Sequence, residues 1–286
     1  MGKLSGYLRL MRPINCLMMG FAVIVGAALA SPTVLNTLWR NLAYGFVTGF
    51  TLTAASMAIN DYYDREADAI NEPNRPIPSG IIKPKEALAF SLVSTIIGFA
   101  ASYLTNTAFP LCLVTATIAW IVSVAYTTVG KRSGLPGNFL VGACVAVPFV
   151  YGSIAIAGEV RLNVLIFASM AFLSIIGREV TKGIVDVQGD RRRNVKTVAV
   201  RYGEKTASVG ATLFYLSAVS LSPVPWFLNL VSFWFIPFVV VTDFGLVASS
   251  FMLLNDYSRE NARKIKNIVL LWGLFGLLAF VSGVLL

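Results

Sequence analysis

Residues 41–68, NLAYGFVTGFTLTAASMAINDYYDREAD, decide the fold, because an apolar run leads there directly into a group of acidic side chains. The apolar part, 41–61, has the length that an α-helix needs to cross a bilayer, roughly 17 to 25 residues. Lipid offers the backbone no hydrogen-bond partners, so a continuous run of this kind is expected to be helical. We therefore predict a membrane span that ends in an acid-rich segment.

The composition of the whole chain is that of a membrane protein. Of the 286 residues, 56% are hydrophobic and 13% are charged, and this charged fraction is about half that of an ordinary soluble domain. Apolar runs long enough to cross a bilayer cover residues 13–30, 41–61, 87–104, 107–129, 137–157, 162–185, 205–222, 230–254 and 267–286. The predicted fold is all-α: a polytopic bundle of nine transmembrane helices that forms a single domain over 1–286.

The distribution of charge predicts the orientation of this bundle. The formal net charge is +9, from 23 lysine and arginine residues against 14 acidic ones. With nine spans, every basic residue except Arg40 and Arg161 falls on the side of the N-terminus, as in membrane proteins whose cytoplasmic loops are basic. We predict a cell-membrane protein with a cytoplasmic N-terminus, and we attribute the positive charge to topology rather than to nucleic-acid binding. The short basic segment 1–12 leads into an apolar run that has no small-residue cleavage site, so we expect that run to be a retained first span rather than a signal peptide.

The acidic residues, apart from Glu159 and Asp243, are confined to the same side. Orientation does not require this, because Asp and Glu contribute little to the positive-inside rule. We interpret the clustering as a polar chemical site at the cytoplasmic mouth of the bundle. The chain has no histidine, and its three cysteines are far apart. Oxygen atoms therefore remain as ligands for a catalytic metal, which favours a hard cation such as Mg²⁺.

The first acidic motif closes the second predicted span. At 100° per residue, Asn60, Asp64 and Asp68 project at about 0°, 40° and 80°, and Asp61 at about 100°, so they share one helix face. Like charges at this spacing repel each other on an exposed helix, and a bound divalent cation would reverse that repulsion. The alternative is a solvated helix end, although capping requires only one or two acids.

The second acidic motif closes the sixth predicted span, where Asp186 and Asp190 are four residues apart. Two acidic faces on one side of a bundle can meet across a cavity and hold Mg²⁺ while leaving positions for phosphate oxygens. Arg75 follows the first motif in a proline-stiffened loop. Arg178 and Lys182 precede the second motif within the predicted span, where an unpaired cation is costly. For these three basic residues we favour phosphate binding over topological anchoring.

The segments NDYYDREADAINEPNRPIPSG at 60–80 and DVQGDRRRNVKT at 186–197 resemble the two aspartate-rich motifs of the UbiA superfamily of intramembrane prenyltransferases. The resemblance covers the whole chain, because members of that superfamily also have nine transmembrane helices with both motifs on the cytoplasmic side. With LMRPIN at 10–15 and REVTKG at 178–183, the sequence is most similar to the archaeal members that form the second ether bond of membrane phospholipid.

The resemblance implies a magnesium-dependent transfer of a geranylgeranyl group from geranylgeranyl diphosphate to the hydroxyl of geranylgeranylglyceryl phosphate. The implied metal ligands are Asn60, Asp64, Asp68, Asp186 and Asp190. The implied substrate-binding residues are Asn15, Asn60, Arg75, Tyr126, Lys131, Arg178 and Lys182, and Lys182 joins the four aspartates as a catalytic residue. For Asn15 a capping or packing role, and for Tyr126 an interfacial anchor, are the alternatives. Membrane lipid is an implied partner, and the sequence predicts no oligomeric state.

Two other functions stay open at this point. A related enzyme can use the same donor with an aromatic quinone precursor or a tetrapyrrole as acceptor. A transporter would also have many spans and basic cytoplasmic loops, but transporters place their binding carboxylates near the bilayer midplane, where only Asp243 is expected. The tripeptide at 255–257 repeats the opening of the first motif, but Arg259 and Arg263 follow it, which predicts a helix terminus.

Overall fold

The computed structural model describes residues 2–34, 38–105, 110–192 and 194–286. Within these ranges the regular structure is helical, with twelve α-helices and 3-10 turns at Pro32–Val34 and Gly130–Arg132. Helices α1 to α6 are Lys3–Met11, Pro13–Ala30, Trp39–Asn71, Pro84–Thr105, Leu111–Thr128 and Leu135–Ala157. Helices α7 to α12 are Leu162–Arg192, Val198–Tyr202, Glu204–Leu221, Val224–Phe227, Phe235–Asn255 and Arg259–Leu285.

Nine helical segments of the described ranges are long and apolar enough to cross a membrane. They contain α2 to α7, α9 with α10, α11 and α12, and they confirm the predicted all-α, multi-pass membrane protein. Residues 107–109, predicted to begin the fourth span, lie outside the described residues. Several helices extend beyond their predicted spans, and among them α3 continues to Asn71 and α7 to Arg192. Each acidic motif therefore lies on the final turns of a long helix.

The helices form two compact units, and the prediction of a single domain stays a prediction. Unit 1 comprises Met1–Thr128 and Val147–Val160, and unit 2 comprises Val129–Ala146 and Arg161–Leu286. The division passes through α6, which gives its first half to unit 2 and its second half to unit 1.

In unit 1, α3 is the central helix and packs along α2 and α4. The second half of α6 approaches α2 closely at two glycines. A Cβ on Gly26 would collide with the backbone of Phe149, and a Cβ on Gly152 would collide with the backbone of Val23. Small residues allow such close helix contacts in membrane proteins, where van der Waals packing supplies much of the association energy.

We expect Gly152→Ala to lower the melting temperature by several degrees, because the added methyl must push α6 away from α2 and overpacking costs about 1–3 kcal/mol. Gly210→Ala, on α9, is the matched control, because nothing lies within 4 Å of the added Cβ. Alanine should there improve helix stability by roughly 0.5–1 kcal/mol. Thermal unfolding of the purified protein, followed by tryptophan fluorescence, measures both effects. Equal melting temperatures for Gly152→Ala and the unchanged protein would contradict the close contact.

In unit 2, α7 packs along α9 and α12, and α11 packs along the same two helices. The apolar face of α7 includes Ile176, Val180 and Ile184, which are buried in one cluster with Tyr215 of α9. The Tyr215 hydroxyl is 2.9 Å from Thr181 Oγ1, so its polar atom is paired within this core. The packing fixes the rotation of α7, and hence the direction of its polar face.

Candidate functional site

The first acidic motif lies on the final turns of α3 in unit 1. Asp61 and Asp68 are buried, whereas Asn60 and Asp64 are half-buried. Arg75 joins the two buried carboxylates: its Nη1 is 2.6 Å from Asp68 Oδ2 and 3.5 Å from Asp61 Oδ1. The structure thus brings predicted residues Asp68 and Arg75 into direct contact, and this contact is an ion pair.

A second arginine, Arg12, reaches the same motif, although it is not among the predicted site residues. Arg12 Nη2 donates to Asp61 Oδ1 at 2.6 Å, and its Nη1 lies 3.5 Å from Met57 Sδ. Arg12 separates α1 from α2 and has a φ of 52°, a left-handed conformation that costs a non-glycine residue on the order of 1–3 kcal/mol. Arg12-Pro13 marks only the start of α2, because proline is favoured at the first position of a helix, and it gives no indication of the contact with Asp61.

Arg75 is held by the loop between α3 and α4. Arg75 N donates to Glu72 O at 2.9 Å, and Ser79 N donates to Arg75 O at 3.0 Å. The loop side chain Ile77 is buried in a cluster with Leu10 of α1. Three prolines restrict the backbone further, namely Pro73, Pro76 and Pro78. The loop therefore presents the Arg75 guanidinium from a restrained backbone.

The other predicted residues of unit 1 are Asn15 and Tyr126. Asn15 Nδ2 is 4.0 Å from Met57 Sδ, the sulfur that Arg12 also contacts, so Asn15 lies beside α3 near the first motif. Tyr126 is half-buried close to the end of α5. The substrate-binding roles of both residues stay predictions.

The second acidic motif lies on the final turns of α7 in unit 2. Measured from buried Ile176 at 100° per residue, Lys182, Asp186 and Asp190 project at about 240°, 280° and 320°. The apolar face of the helix is centred near 40°, so these three side chains leave it on another side. Asp186 and Asp190 are half-buried. The expectation that this motif and the first one serve a single ligand stays a prediction.

Glu179 also lies on this polar face, although it is not among the predicted site residues. Its Oε1 accepts a hydrogen bond from Arg178 Nη1 at 2.8 Å, and its Oε2 is 3.4 Å from Lys182 Nζ. Arg178 Nε also donates to Lys266 O at 3.1 Å. Arg178 is therefore a paired cation, and its predicted phosphate-binding role stays a prediction. The adjacency of Arg178 and Glu179 in the sequence could have predicted this ion pair.

Lys131 lies in the 3-10 turn Gly130–Arg132, which belongs to unit 2. Lys196 N donates to Arg132 O at 3.2 Å, which ties this turn to the segment that follows the second motif. Gly134 has a φ of 76°, and a Cβ there would collide with Lys196 O. A glycine is thus required where the two segments meet.

The oxygen atoms of each motif, taken by itself, suit a magnesium ion that shares its coordination with a substrate. No group of three or more His, Cys, Asp or Glu side chains within the described ranges is arranged to hold a metal ion. Mg²⁺ is commonly bound through one or two carboxylates, with waters and substrate phosphates as its remaining ligands. The pairs Asp64 with Asp68 and Asp186 with Asp190 fit that mode.

Two acids outside the motifs, Asp243 and Asp256, each accept a hydrogen bond from a serine. Ser222 Oγ donates to Asp243 Oδ2 at 2.5 Å, whereas Asp243 Oδ1 is buried without a hydrogen-bond partner among the described residues. Asp256 follows the last residue of α11 and accepts a hydrogen bond from Ser258 N at 2.9 Å. This bond lowers the pKa of Asp256. The predicted helix terminus at 255–257 is confirmed.

Known proteins are similar to this chain over almost its whole length. Residues 19–281 match the sequence profile of the UbiA prenyltransferase family. A digeranylgeranylglyceryl phosphate synthase of Archaeoglobus fulgidus is 38% identical and aligns over 99% of this chain and 98% of that protein. A solved structure concerning digeranylgeranylglyceryl phosphate synthase in membranes has a TM-score of 0.86 and 32% identity, over 99% of this chain and 98% of that one. A UbiA homolog from A. fulgidus, solved with GPP and Mg²⁺, has a similar fold, with a TM-score of 0.70 and 18% identity over 96% of this chain and 99% of that one.

Proposed function

Because this chain belongs to the UbiA prenyltransferase family, we propose that it transfers a geranylgeranyl group from geranylgeranyl diphosphate to the free hydroxyl of geranylgeranylglyceryl phosphate. The product carries the second ether bond of archaeal membrane phospholipid. One observation carries the proposal: full-length relatives that are 38%, 35% and 33% identical are all digeranylgeranylglyceryl phosphate synthases.

The reaction breaks the allylic C–O bond of the donor and forms a C–O bond to the acceptor oxygen. Diphosphate leaves with the bonding electron pair, and the acceptor hydroxyl loses its proton. Negative charge grows on the diphosphate as the bond breaks, so fixed cations beside it stabilise the transition state more than the ground state. Bound Mg²⁺ supplies Lewis-acid stabilisation of the same leaving group.

In unit 1 we assign Asn60, Asp64 and Asp68 to the metal and Arg75 to the diphosphate. Arg75 contacts Asp68 at 2.6 Å, so its guanidinium lies directly beside a proposed metal ligand. The restrained loop keeps it there, which reduces the entropy lost when a phosphate oxygen binds. Asn15 and Tyr126 complete the proposed substrate-binding residues of this unit.

In unit 2 we assign Asp186 and Asp190 to the metal and Lys182 to the leaving diphosphate. The Lys182 side chain is 43% exposed, and its Nζ lies 3.4 Å from Glu179 Oε2. An ion pair this exposed contributes little, so a phosphate can compete with Glu179 for the ammonium group. Arg178 and Lys131 are assigned as further substrate-binding cations. Their contribution is positive potential at this end of α7.

We assign both motifs, and the N-terminus, to the cytoplasmic side of the cell membrane. The assignment follows from the positive-inside rule and the positions of the basic residues along the chain. The long apolar spans then exclude water from the carbon that becomes positively charged, which prevents its hydrolysis before the acceptor attacks.

The test is a transfer assay on the purified protein with labelled geranylgeranyl diphosphate and Mg²⁺. Three acceptors are supplied separately: geranylgeranylglyceryl phosphate, 4-hydroxybenzoate and chlorophyllide. We expect labelled diether lipid from the first, at a rate at least about tenfold above the other two, and none when Mg²⁺ is replaced by a chelator. Product from only the aromatic or the tetrapyrrole acceptor would reassign the acceptor. Absence of product from all three acceptors would contradict the proposed transfer and favour the alternative that the protein is a transporter.

A further inference from the structure

Asp61 is the most buried acid of the first motif, and it contacts two arginines. Its side chain is only 3% exposed, whereas Asp64, three residues later, is half-buried. A single oxygen, Asp61 Oδ1, lies 2.6 Å from Arg12 Nη2 and 3.5 Å from Arg75 Nη1. These contacts make Asp61 the link between two arginines that are far apart in sequence.

We propose that Asp61 is a positioning residue, which holds Arg12 and Arg75 so that both guanidinium groups face the diphosphate of the donor. The inference rests on the function proposed above and extends it, because it adds Arg12 as a phosphate-binding residue. Asp61 itself is not assigned to the metal, because its carboxylate is buried between two guanidinium groups.

The exposed surfaces of the two arginines support this arrangement. The Arg12 and Arg75 side chains are 34% and 33% exposed, although each is tied to a buried carboxylate at one end. A guanidinium carries five N–H donors, and the contacts with Asp61 use one nitrogen of each arginine. Donors on the exposed side of each planar guanidinium are therefore available to two oxygens of a phosphate group.

The backbones of both arginines are restrained as well. Arg12 has a left-handed φ of 52° between two helices, and residues held in this region often serve a function. Arg75 is held by its loop hydrogen bonds to Glu72 and Ser79. Arg12 is thus fixed at its backbone and at Asp61, and Arg75 at its backbone, at Asp68 and more weakly at Asp61. Loss of the Asp61 charge should therefore release Arg12 and leave Arg75 held by Asp68 alone.

The first experiment measures binding of magnesium pyrophosphate to the purified full-length protein by calorimetry. We expect Asp61→Asn to weaken binding about 10- to 100-fold, the range expected when a charge-assisted contact is lost. Glu66→Gln is the matched control, because Glu66 lies on the same helix and its side chain is 88% exposed. Its affinity should equal that of the unchanged protein. Equal affinity of Asp61→Asn and Glu66→Gln would overturn the proposal.

The second experiment separates positioning from metal binding and from a purely structural role. In Arg12→Ala, the further change Asp61→Asn should weaken pyrophosphate binding much less than it does alone, because partners of one interaction are not additive. In Asp61→Asn alone, the Mg²⁺ concentration for half-maximal turnover at saturating donor should stay within about threefold of that of the unchanged protein. Additive losses of pyrophosphate affinity in the double variant would contradict a positioning role. A rise of more than about threefold in the Mg²⁺ concentration that Asp61→Asn needs for half-maximal turnover would contradict it as well.

Asp61→Asn leaves partly buried arginines without a full counter-charge, which can destabilise the protein. Arg12→Lys is therefore the second variant: it keeps a positive charge beside Asp61 but removes the planar fork. We expect an unchanged melting temperature and weaker pyrophosphate binding. Unchanged binding in this variant would remove Arg12 from the proposal. Failure of the unchanged protein to transfer a prenyl group, with pyrophosphate binding intact, would refute the proposed function and leave the positioning result standing.

Discussion

Asp64→Ala is expected to lower kcat for prenyl transfer by at least about 10³-fold, which corresponds to roughly 4 kcal/mol of transition-state stabilisation. The proposed role of Asp64 is to hold a magnesium ion against the departing diphosphate, so the variant loses one of the proposed metal ligands. The loss should persist at high Mg²⁺ concentration, because an alanine offers no oxygen to the metal at any concentration. Product formation under saturating donor and acceptor measures it.

The fold should survive this substitution. Asp64 is half-buried on α3, and alanine has a higher helix propensity than aspartate. The matched control is Glu66→Ala, two residues later on the same helix, which should keep its rate within about twofold because exposed surface changes rarely matter. Melting temperatures of both variants should lie close to that of the unchanged protein. An Asp64→Ala enzyme with a tenth or more of normal activity would contradict the assignment.

The helices could be predicted from the sequence because each depends on a local property, the length of an apolar run. A run of apolar residues of bilayer length has one stable outcome in lipid, and the segments 13–30 and 162–185 correspond to α2 and the first part of α7. The ends of α3 and α7 could not be predicted from hydropathy, because these helices continue through polar residues to Asn71 and Arg192. Helix propensity is compatible with such an extension, but the apolar criterion stops where the charges begin.

The ion pairs of the candidate site depend on distance in space and were predictable only in part. Arg178 and Glu179 are adjacent, so their pairing could have been expected from the sequence. Arg12 and Asp61 are 49 positions apart, and their contact requires α2 to pack along α3. No local pattern encodes that contact, and the sequence alone therefore gives no reason to place Arg12 beside the first motif. The same limitation applies to Ser222 and Asp243, which meet through the packing of α9 and α11.

Asp190→Ala is expected to lower kcat by at least about 10³-fold as well, although Asp190 lies on a different helix from Asp64. Gln188→Ala is the matched control, because Gln188 is an exposed residue on the same turns of α7 and has no proposed role. Its rate should remain within about twofold of normal. A large loss in the control would indicate that any change at the end of α7 impairs the enzyme.

The double variant Asp64→Ala/Asp190→Ala then tests whether both motifs act in the same chemical step. Residues that act as a unit are strongly non-additive, so loss of the second member costs little once the first has gone. We expect the double variant to be within about tenfold of the slower single variant, whereas independent effects would multiply to roughly 10⁶-fold. Rates at saturating donor and acceptor, with the spontaneous reaction subtracted, decide between the two. A multiplicative loss would assign the motifs to separate steps. The role in binding magnesium diphosphate would then be restricted to one motif, namely the one whose single variant needs a higher Mg²⁺ concentration for half-maximal turnover.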